Sequence, residues 1–310
     1  MDLDRPLTTS DVPPRFFNAT LLVGHIPHRA LASDPRVSYA LHVPAKHYLS
    51  DGAGTVPAPA KLPLLVSMHG TRRHVYDIYD LVAFVESTPC AVLTPLFPAG
   101  LDGPNDLDSF KLLRSKTLRS DLAFLSILDE VAIRWPGIDT SKIFLMGFSG
   151  GGQFVHRFMY LYPERLAAAS IGAPGRATPL DDQRNWPEGV KDVEALFGRT
   201  INKNLIKELP IQLVVGGADL QVHGGKEFWT WVKQMKAQHS GQDENTDDTE
   251  GLPTMQKGRL DTLRDLHDSW KRDGIVAQLD VVEGVLHDPK AVRESVLAFL
   301  RPWMQKHSSG

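Results

Sequence analysis

The sequence predicts an α/β fold, a mostly parallel eight-stranded sheet with helices on both faces and a small cap insertion. Three observations carry the prediction. Short apolar, β-branched stretches bounded by Gly and Pro recur eight times along the 310 residues. Between the later stretches lie longer segments with apolar residues at helical spacing. Strands that alternate with helices are joined by crossovers, and crossovers build a parallel sheet covered on both faces.

Taken in order, the first two strand candidates, Ala19 to Ile26 and Val37 to Val43, follow each other without a long helix between them. That predicts an antiparallel edge. Leu62 to Met68, Ala91 to Phe97, Ile143 to Phe148, Ala167 to Ile171, Ile211 to Val215 and Val276 to Val282 complete the set. Leu118, Leu122, Leu125, Leu128 and Ala132 recur at intervals of three and four, which predicts a helix. Ser50 to Lys61 is rich in Gly, Ala and Pro and reads as a connection away from the chemistry. Residues 176–209 form a cap-like insertion containing Trp186-Pro187 and Leu196-Phe197, too short for an independent cap. Residues 241–256 form a second insertion. Its acidic run, Asp243, Glu244, Asp247 and Asp248, has almost no apolar residues to offset the entropy of ordering, so a disordered surface segment is expected. No internal repeat is evident, and residues 1–310 are expected to form a single domain.

Composition excludes several function classes. With 42% hydrophobic and 23% charged residues the chain can bury a sizeable core, and a net charge of -3 supplies no basic face for nucleic acid. The start, Met1-Asp2-Leu3-Asp4-Arg5-Pro6, lacks the basic and apolar regions of a signal peptide, and no apolar run reaches membrane-spanning length. Cys90 is the single cysteine, so no internal disulfide is possible. A cytoplasmic protein with neither nucleic-acid nor membrane partners is expected, and the oligomeric state is left open. The sequon Asn18-Ala19-Thr20 then has no role.

The chemistry centres on Gly147-Phe148-Ser149-Gly150-Gly151, placed between the strand candidate ending at Phe148 and a helix-like stretch. Such a turn forces the serine into a strained conformation, and its glycines let a neighbouring strand and helix approach. A serine needs a base and an orienting acid. Asp219 follows the strand Ile211 to Val215 through Gly216-Gly217-Ala218, and His287 follows Val276 to Val282 through Glu283-Gly284-Val285-Leu286. Asp219 is the candidate acid, ahead of Asp181 and Asp182, which fall in the cap-like insertion. His287 is the candidate base among the twelve histidines. His69 shapes a His-Gly loop, and His156, His223 and His267 fall on predicted helices or their starts. None of the histidines shows metal-ligand spacing.

Together with the strand Leu64 to Met68 ending in His69-Gly70-Thr71, these residues resemble the α/β-hydrolase superfamily over almost the whole chain. The order Ser, Asp, His is the order of that superfamily. Gly147 to Gly152 and the His-Gly loop look like the esterase group that includes polyhydroxybutyrate depolymerase-like and feruloyl esterase-like proteins. The resemblance implies an oxyanion hole built from the backbone N–H groups of Thr71 and Gly150. It implies ester or lactone cleavage through an acyl-enzyme, with a small-molecule substrate and no cofactor or metal. Arg72 and Arg73, directly after the loop, are candidate ligands for an acidic substrate group. Phe148, Tyr76, Trp186 and Leu286 are further candidate substrate contacts, with Tyr79 and Leu220 as other pocket walls. A prolyl oligopeptidase-type peptidase shares the elbow, but no propeller-like segment precedes it. A carbon–carbon bond hydrolase or cyclase and a non-catalytic ligand receptor use the same scaffold and stand as alternatives.

Overall fold

The computed structural model describes residues 6–49, 60–75, 77–104, 106–220, 222 and 257–308. Tyr76, His223 and the insertion at 241–256 lie outside them. After a short 3₁₀ turn at Pro14–Phe16, the chain forms β1 (Gly24–Leu31), β2 (Asp34–Val43), β3 (Leu62–Met68), α1 (Asp77–Ser87) and β4 (Ala91–Leu96). Then follow α2 (Ser120–Arg134), β5 (Ile138–Phe148), α3 (Gly150–Leu161) and β6 (Leu166–Gly172). The short helices α4 (Val193–Phe197) and α5 (Lys203–Glu208) lead into β7 (Ile211–Gly216), and α6 (Arg259–Arg272), β8 (Gln278–Val282) and α7 (Arg293–Ser308) close the order.

The eight strands make one sheet in the order β1-β2-β4-β3-β5-β6-β7-β8. β2 runs antiparallel to β1 and β4, and every pair from β4 through β8 is parallel. The carboxyl ends of β3, β5, β6, β7 and β8 therefore meet along one edge, where open α/β sheets place their ligands.

Period-two alternation divides each central strand between two cores. On one face Leu64, Val66, Ile143 and Leu145 pack with Phe124, Ile127 and Val131 of α2, Phe154 and Phe158 of α3, and Leu263 and Trp270 of α6. On the other, Leu65, Phe144 and Met146 pack with Leu81 and Val85 of α1 and Leu300 and Met304 of α7. The sheet is thus covered on both sides, as its near-continuous apolar strands require.

Two expectations need correction. The first strand begins at Gly24 and runs to Leu31, because Ala19 to Val23 are held in turns by Thr20 N–H to Phe16 O and Leu22 N–H to Phe17 O. Pro27 lies inside β1, which is an edge strand with a register shift between Ile26 and Arg29, a setting that tolerates proline. The second correction concerns β5, which starts five residues earlier than expected, at Ile138. α2 forms where the spacing predicts a helix. Leu122 is exposed and the helix starts after Leu118, whereas Ala123, Phe124, Ile127, Leu128 and Val131 face the core. Two apolar stripes compete on this helix, and the one bearing the aromatic and β-branched residues is buried. No helix among the described residues is long and apolar enough to cross a membrane.

Candidate active site

Ser149 sits at the junction of β5 and α3 with φ 57° and ψ -115°, a left-handed conformation that non-glycine residues rarely adopt. Its backbone is fixed on both sides: Ser149 N–H donates to Gly172 O on β6 at 2.8 Å, and Ser149 O accepts from Gln153 N–H at 3.0 Å. The glycines around it answer to close approach. A Cβ on Gly147 would stand 2.6 Å from the Gly151 backbone, one on Gly151 would stand 2.3 Å from Met68 O, and one on Gly152 would stand 2.3 Å from Gly172 O. The turn is therefore pressed against both β3 and β6.

The loop after β3 lies directly beside it. A Cβ on Gly70 would stand 3.9 Å from Ser149 Cβ, and one on Gly150 would stand 2.9 Å from Thr71 N and 2.8 Å from Thr71 Oγ1. The N–H groups of Thr71 and Gly150 have no acceptor among the described residues. Neighbouring backbone donors without a protein acceptor are what an oxyanion hole presents.

The loop is held from behind. Phe97 N–H donates to His69 Nε2 at 3.0 Å, so the His69 proton is on Nδ1, which donates to Gly70 O at 2.8 Å. Burial lowers the His69 pKa to about 3, and the imidazole is a neutral strut. Arg73 has φ 52° and turns its guanidinium inward, donating through Nη1 to Thr71 O at 2.7 Å and through Nε to Phe97 O at 3.2 Å, over the Phe110 ring. This differs from the expected anion contact, because these donors serve the protein's own carbonyls. Arg72 is the exposed member of the pair, and its charge reaches His287.

The loops after β7 and β8 deliver Asp219 and His287. Gly217 N–H donates to Val282 O at 2.7 Å and Ala218 N–H to Val285 O at 2.9 Å, which ties the two loops together. Gly216 allows this contact, since a Cβ there would stand 2.2 Å from Val285 O. His287 Nδ1 donates to Asp219 Oδ2 at 2.6 Å, leaving Nε2 as the acceptor. Asp219 is buried, and its Oδ1 accepts from Arg259 Nη1 at 3.3 Å. Phe148, the residue before Ser149, packs its ring on the imidazole with centroids 4.8 Å apart, which sets the elbow against His287.

Burial is the largest influence on His287 and lowers its pKa below 6.5; the Asp219 hydrogen bond opposes that, while Arg259 and Arg72 add to it. The base form of the imidazole is favoured. Arg259 was missed from sequence, because nothing in Gly258-Arg259-Leu260 marks it as a partner of a residue so far upstream. The link is tertiary: Leu260 N–H donates to Asp219 O at 3.2 Å, which seats the start of α6 on the acid loop.

The other candidates separate. Leu286, next to His287 in the chain, is 66% exposed, and Leu220, next to Asp219, is 63% exposed. Tyr79 lies on α1 with its hydroxyl on His25 Nε2 at 3.0 Å. Trp186 is tied down elsewhere, its Nε1–H donating to Leu112 O at 2.9 Å and its ring meeting Phe197 edge-on. Those contacts anchor the 176–209 segment, and none described joins Trp186 to Ser149 or His287. Among the described residues no group of His, Cys, Asp or Glu is placed to hold a metal ion.

Sheet order, elbow and loop placement together decide the architecture. The chain has the α/β-hydrolase fold. Solved structures of this fold superpose along most of the chain. Poly(aspartic acid) hydrolase-1 from Sphingomonas sp. KT-1 matches at a TM-score of 0.62 and 18% identity, over 89% of this chain and 98% of that one. A poly(3-hydroxybutyrate) depolymerase from Bordetella parapertussis matches at 0.58 and 18% identity, over 94% of each. An S-formylglutathione hydrolase from Agrobacterium tumefaciens matches at 0.51 and 16% identity, over 88% of this chain and 89% of that one. No protein-family model matches the sequence, and no curated protein does either. At these identities the likeness concerns the fold.

Proposed function

We propose that the protein is a serine-dependent hydrolase of a carboxylic ester or lactone, with Ser149 as nucleophile, His287 as general base and Asp219 as the orienting acid. The observation that carries this reading is the 2.6 Å Nδ1–H to Oδ2 bond between the β8 and β7 loops, at the sheet edge where β5 delivers a strained serine. Asp219 holds the imidazole with its proton on Nδ1. Nε2 takes the Ser149 proton as Oγ attacks the ester carbonyl, and the developing oxyanion accepts from the N–H groups of Thr71 and Gly150. The imidazolium then gives its proton to the leaving alcohol, and water releases the acyl group by the same steps in reverse order.

The neighbours named for hydrolysing poly(3-hydroxybutyrate) and S-formylglutathione support hydrolysis as the reaction class. The exposed Leu286 and Leu220 suit an apolar acyl or alcohol group, and Arg72, whose charge reaches His287, suits an acidic substituent on that side. In this reading the 176–209 segment is a small cap. Its support is the Trp186 bond to Leu112, which sets the segment next to the oxyanion-loop scaffold.

A fluorophosphonate probe tests the assignment without a known substrate. Rapid labelling at Ser149, lost in His287→Ala, is expected. On an ester that the protein turns over, Ser149→Ala should lower kcat on a scale of about 10⁶. A fall of less than tenfold would sink the assignment, and an unlabelled but folded protein would point to a ligand receptor. Paired esters with and without a free carboxylate would then read the part played by Arg72.

A further inference from the structure

A buried lysine stands behind the proposed oxyanion hole. Lys111, on the 3₁₀ turn Ser109–Leu112, is 1% exposed, and its Nζ donates to Asp108 Oδ1 at 2.6 Å and to Thr71 Oγ1 at 3.3 Å. An ammonium has only donors, so Thr71 Oγ1 is the acceptor in that bond. The single Thr71 hydroxyl proton must point elsewhere, and among the described residues no acceptor takes it. The same oxygen lies against Gly150, on the side where the Thr71 N–H also lies.

We infer that the Thr71 hydroxyl is a third oxyanion donor, oriented and polarised by Lys111. The inference rests on the hydrolase reading and deepens it. Thr71 contributes two donors to one spot, its backbone N–H and its side-chain O–H, and Gly150 N–H supplies the other. Lys111 never touches the substrate; it is a positioning residue that acts through Thr71. By occupying a lone pair of Oγ1 it fixes the direction of the hydroxyl proton and makes that proton a stronger donor. Its positive charge also lies in a dry setting behind the place where negative charge develops, where such a charge acts more strongly than in water.

The scaffold keeps this relay in register with the nucleophile. Arg157 of α3 is buried and donates through Nη1 to Lys111 O at 2.7 Å, so the turn bearing Lys111 is bonded to the helix that begins at the elbow. Arg73 clamps Thr71 O from the other side. Asp108, half in solvent, is the counter-ion of Lys111. Burial lowers the Lys111 pKa, with Arg157 and Arg73 adding to the shift and the Asp108 carboxylate opposing it.

The test compares Thr71→Val, Thr71→Ser and Lys111→Met by fluorophosphonate labelling rate and by kcat and KM on p-nitrophenyl butyrate. Thr71→Val keeps the backbone donor and the shape but loses the hydroxyl. It is expected to slow labelling and lower kcat about ten- to a hundredfold with KM nearly unchanged, because an oxyanion donor acts on the transition state. Thr71→Ser restores the hydroxyl and should recover most of the rate. Lys111→Met should lower kcat in the same direction and should add little when combined with Thr71→Val, because both act through one hydroxyl. Wild-type protein that labels at Ser149 together with Thr71→Val that labels equally fast would overturn this inference alone. Wild-type protein that does not label overturns the hydrolase reading and this inference with it.

Discussion

At the scale of single residues, the protonation of His287 is the quantity the site controls most closely. In the proposed mechanism His287 must be neutral to accept the Ser149 proton, and its pKa is lowered because burial, Arg259 and Arg72 disfavour the imidazolium more than the Asp219 hydrogen bond favours it. A lowered pKa means that the neutral form persists as pH falls, so the acid limb of kcat/KM is expected below pH 6.5. Arg259→Met removes a cation that opposes the imidazolium and frees the second Asp219 oxygen; both effects raise the His287 pKa. The acid limb of the variant should move to higher pH. A pH profile of kcat/KM checks this, and coincident limbs would show that Arg259 does not act on His287. Ser149, Asp219 and His287 were legible because a motif or a strand end marked each one. Arg259 and Lys111 carried no such mark, since each is defined by what it touches across the fold. For Arg73, position beside the loop is visible in sequence, but the direction of the side chain is not.

At the scale of elements, the β5–α3 turn works because four backbones approach more closely than side chains allow. Gly152 is the sharpest case. A methyl there would stand 2.3 Å from the carbonyl of Gly172, a backbone atom that cannot swing away, and Gly172 O also accepts from Ser149 N–H. Gly152→Ala should therefore push α3 off the end of β6, lowering stability by about 1–3 kcal/mol and displacing the nucleophile. Urea unfolding would show a lower midpoint, and fluorophosphonate labelling of the folded variant would be slower. A midpoint equal to wild type would mean that the turn relaxes without loss. Six of the eight strands were placed in sequence to within three residues at each end, since apolar runs flanked by Gly or Pro survive folding as strands, and β5 begins five residues earlier than expected. β1 was displaced because edge strands follow looser rules, and Pro27 could be absorbed by a bulge. On α2 the spacing of apolar residues predicted a helix but could not choose between two stripes.

At the scale of the molecule, a parallel sheet gathers loops from distant parts of the chain at one edge, and a buried polar network keeps the surrounding layers together. Trp270 Nε1–H of α6 donates to Tyr160 Oη of α3 at 2.7 Å, and Tyr160 O–H donates to Thr178 O at 2.8 Å. Thr178 is bonded further: its N–H donates to His156 Nε2 at 3.0 Å, and its Oγ1 accepts from Arg157 Nε at 2.9 Å and donates to Pro187 O at 2.8 Å. One residue thus fixes the 176–209 segment to α3, and Tyr160 extends that link to α6, whose first residue, Arg259, holds Asp219. Tyr160, Trp270 and Thr178 are all buried, so no solvent replaces a lost partner. Tyr160→Phe keeps the ring but leaves the indole N–H and the Thr178 carbonyl unpaired, at roughly 1–3 kcal/mol for each group. The expected result is a clearly lower urea midpoint with an unchanged slope. The Asp219–His287 bond and the seat of Leu260 on Asp219 do not pass through Tyr160, so kcat at 25 °C should stay close to wild type. An unchanged midpoint would show that the phenol contributes nothing net to folding. A midpoint that falls together with kcat would show that the layers and the Asp219–His287 pair are coupled through this hydroxyl.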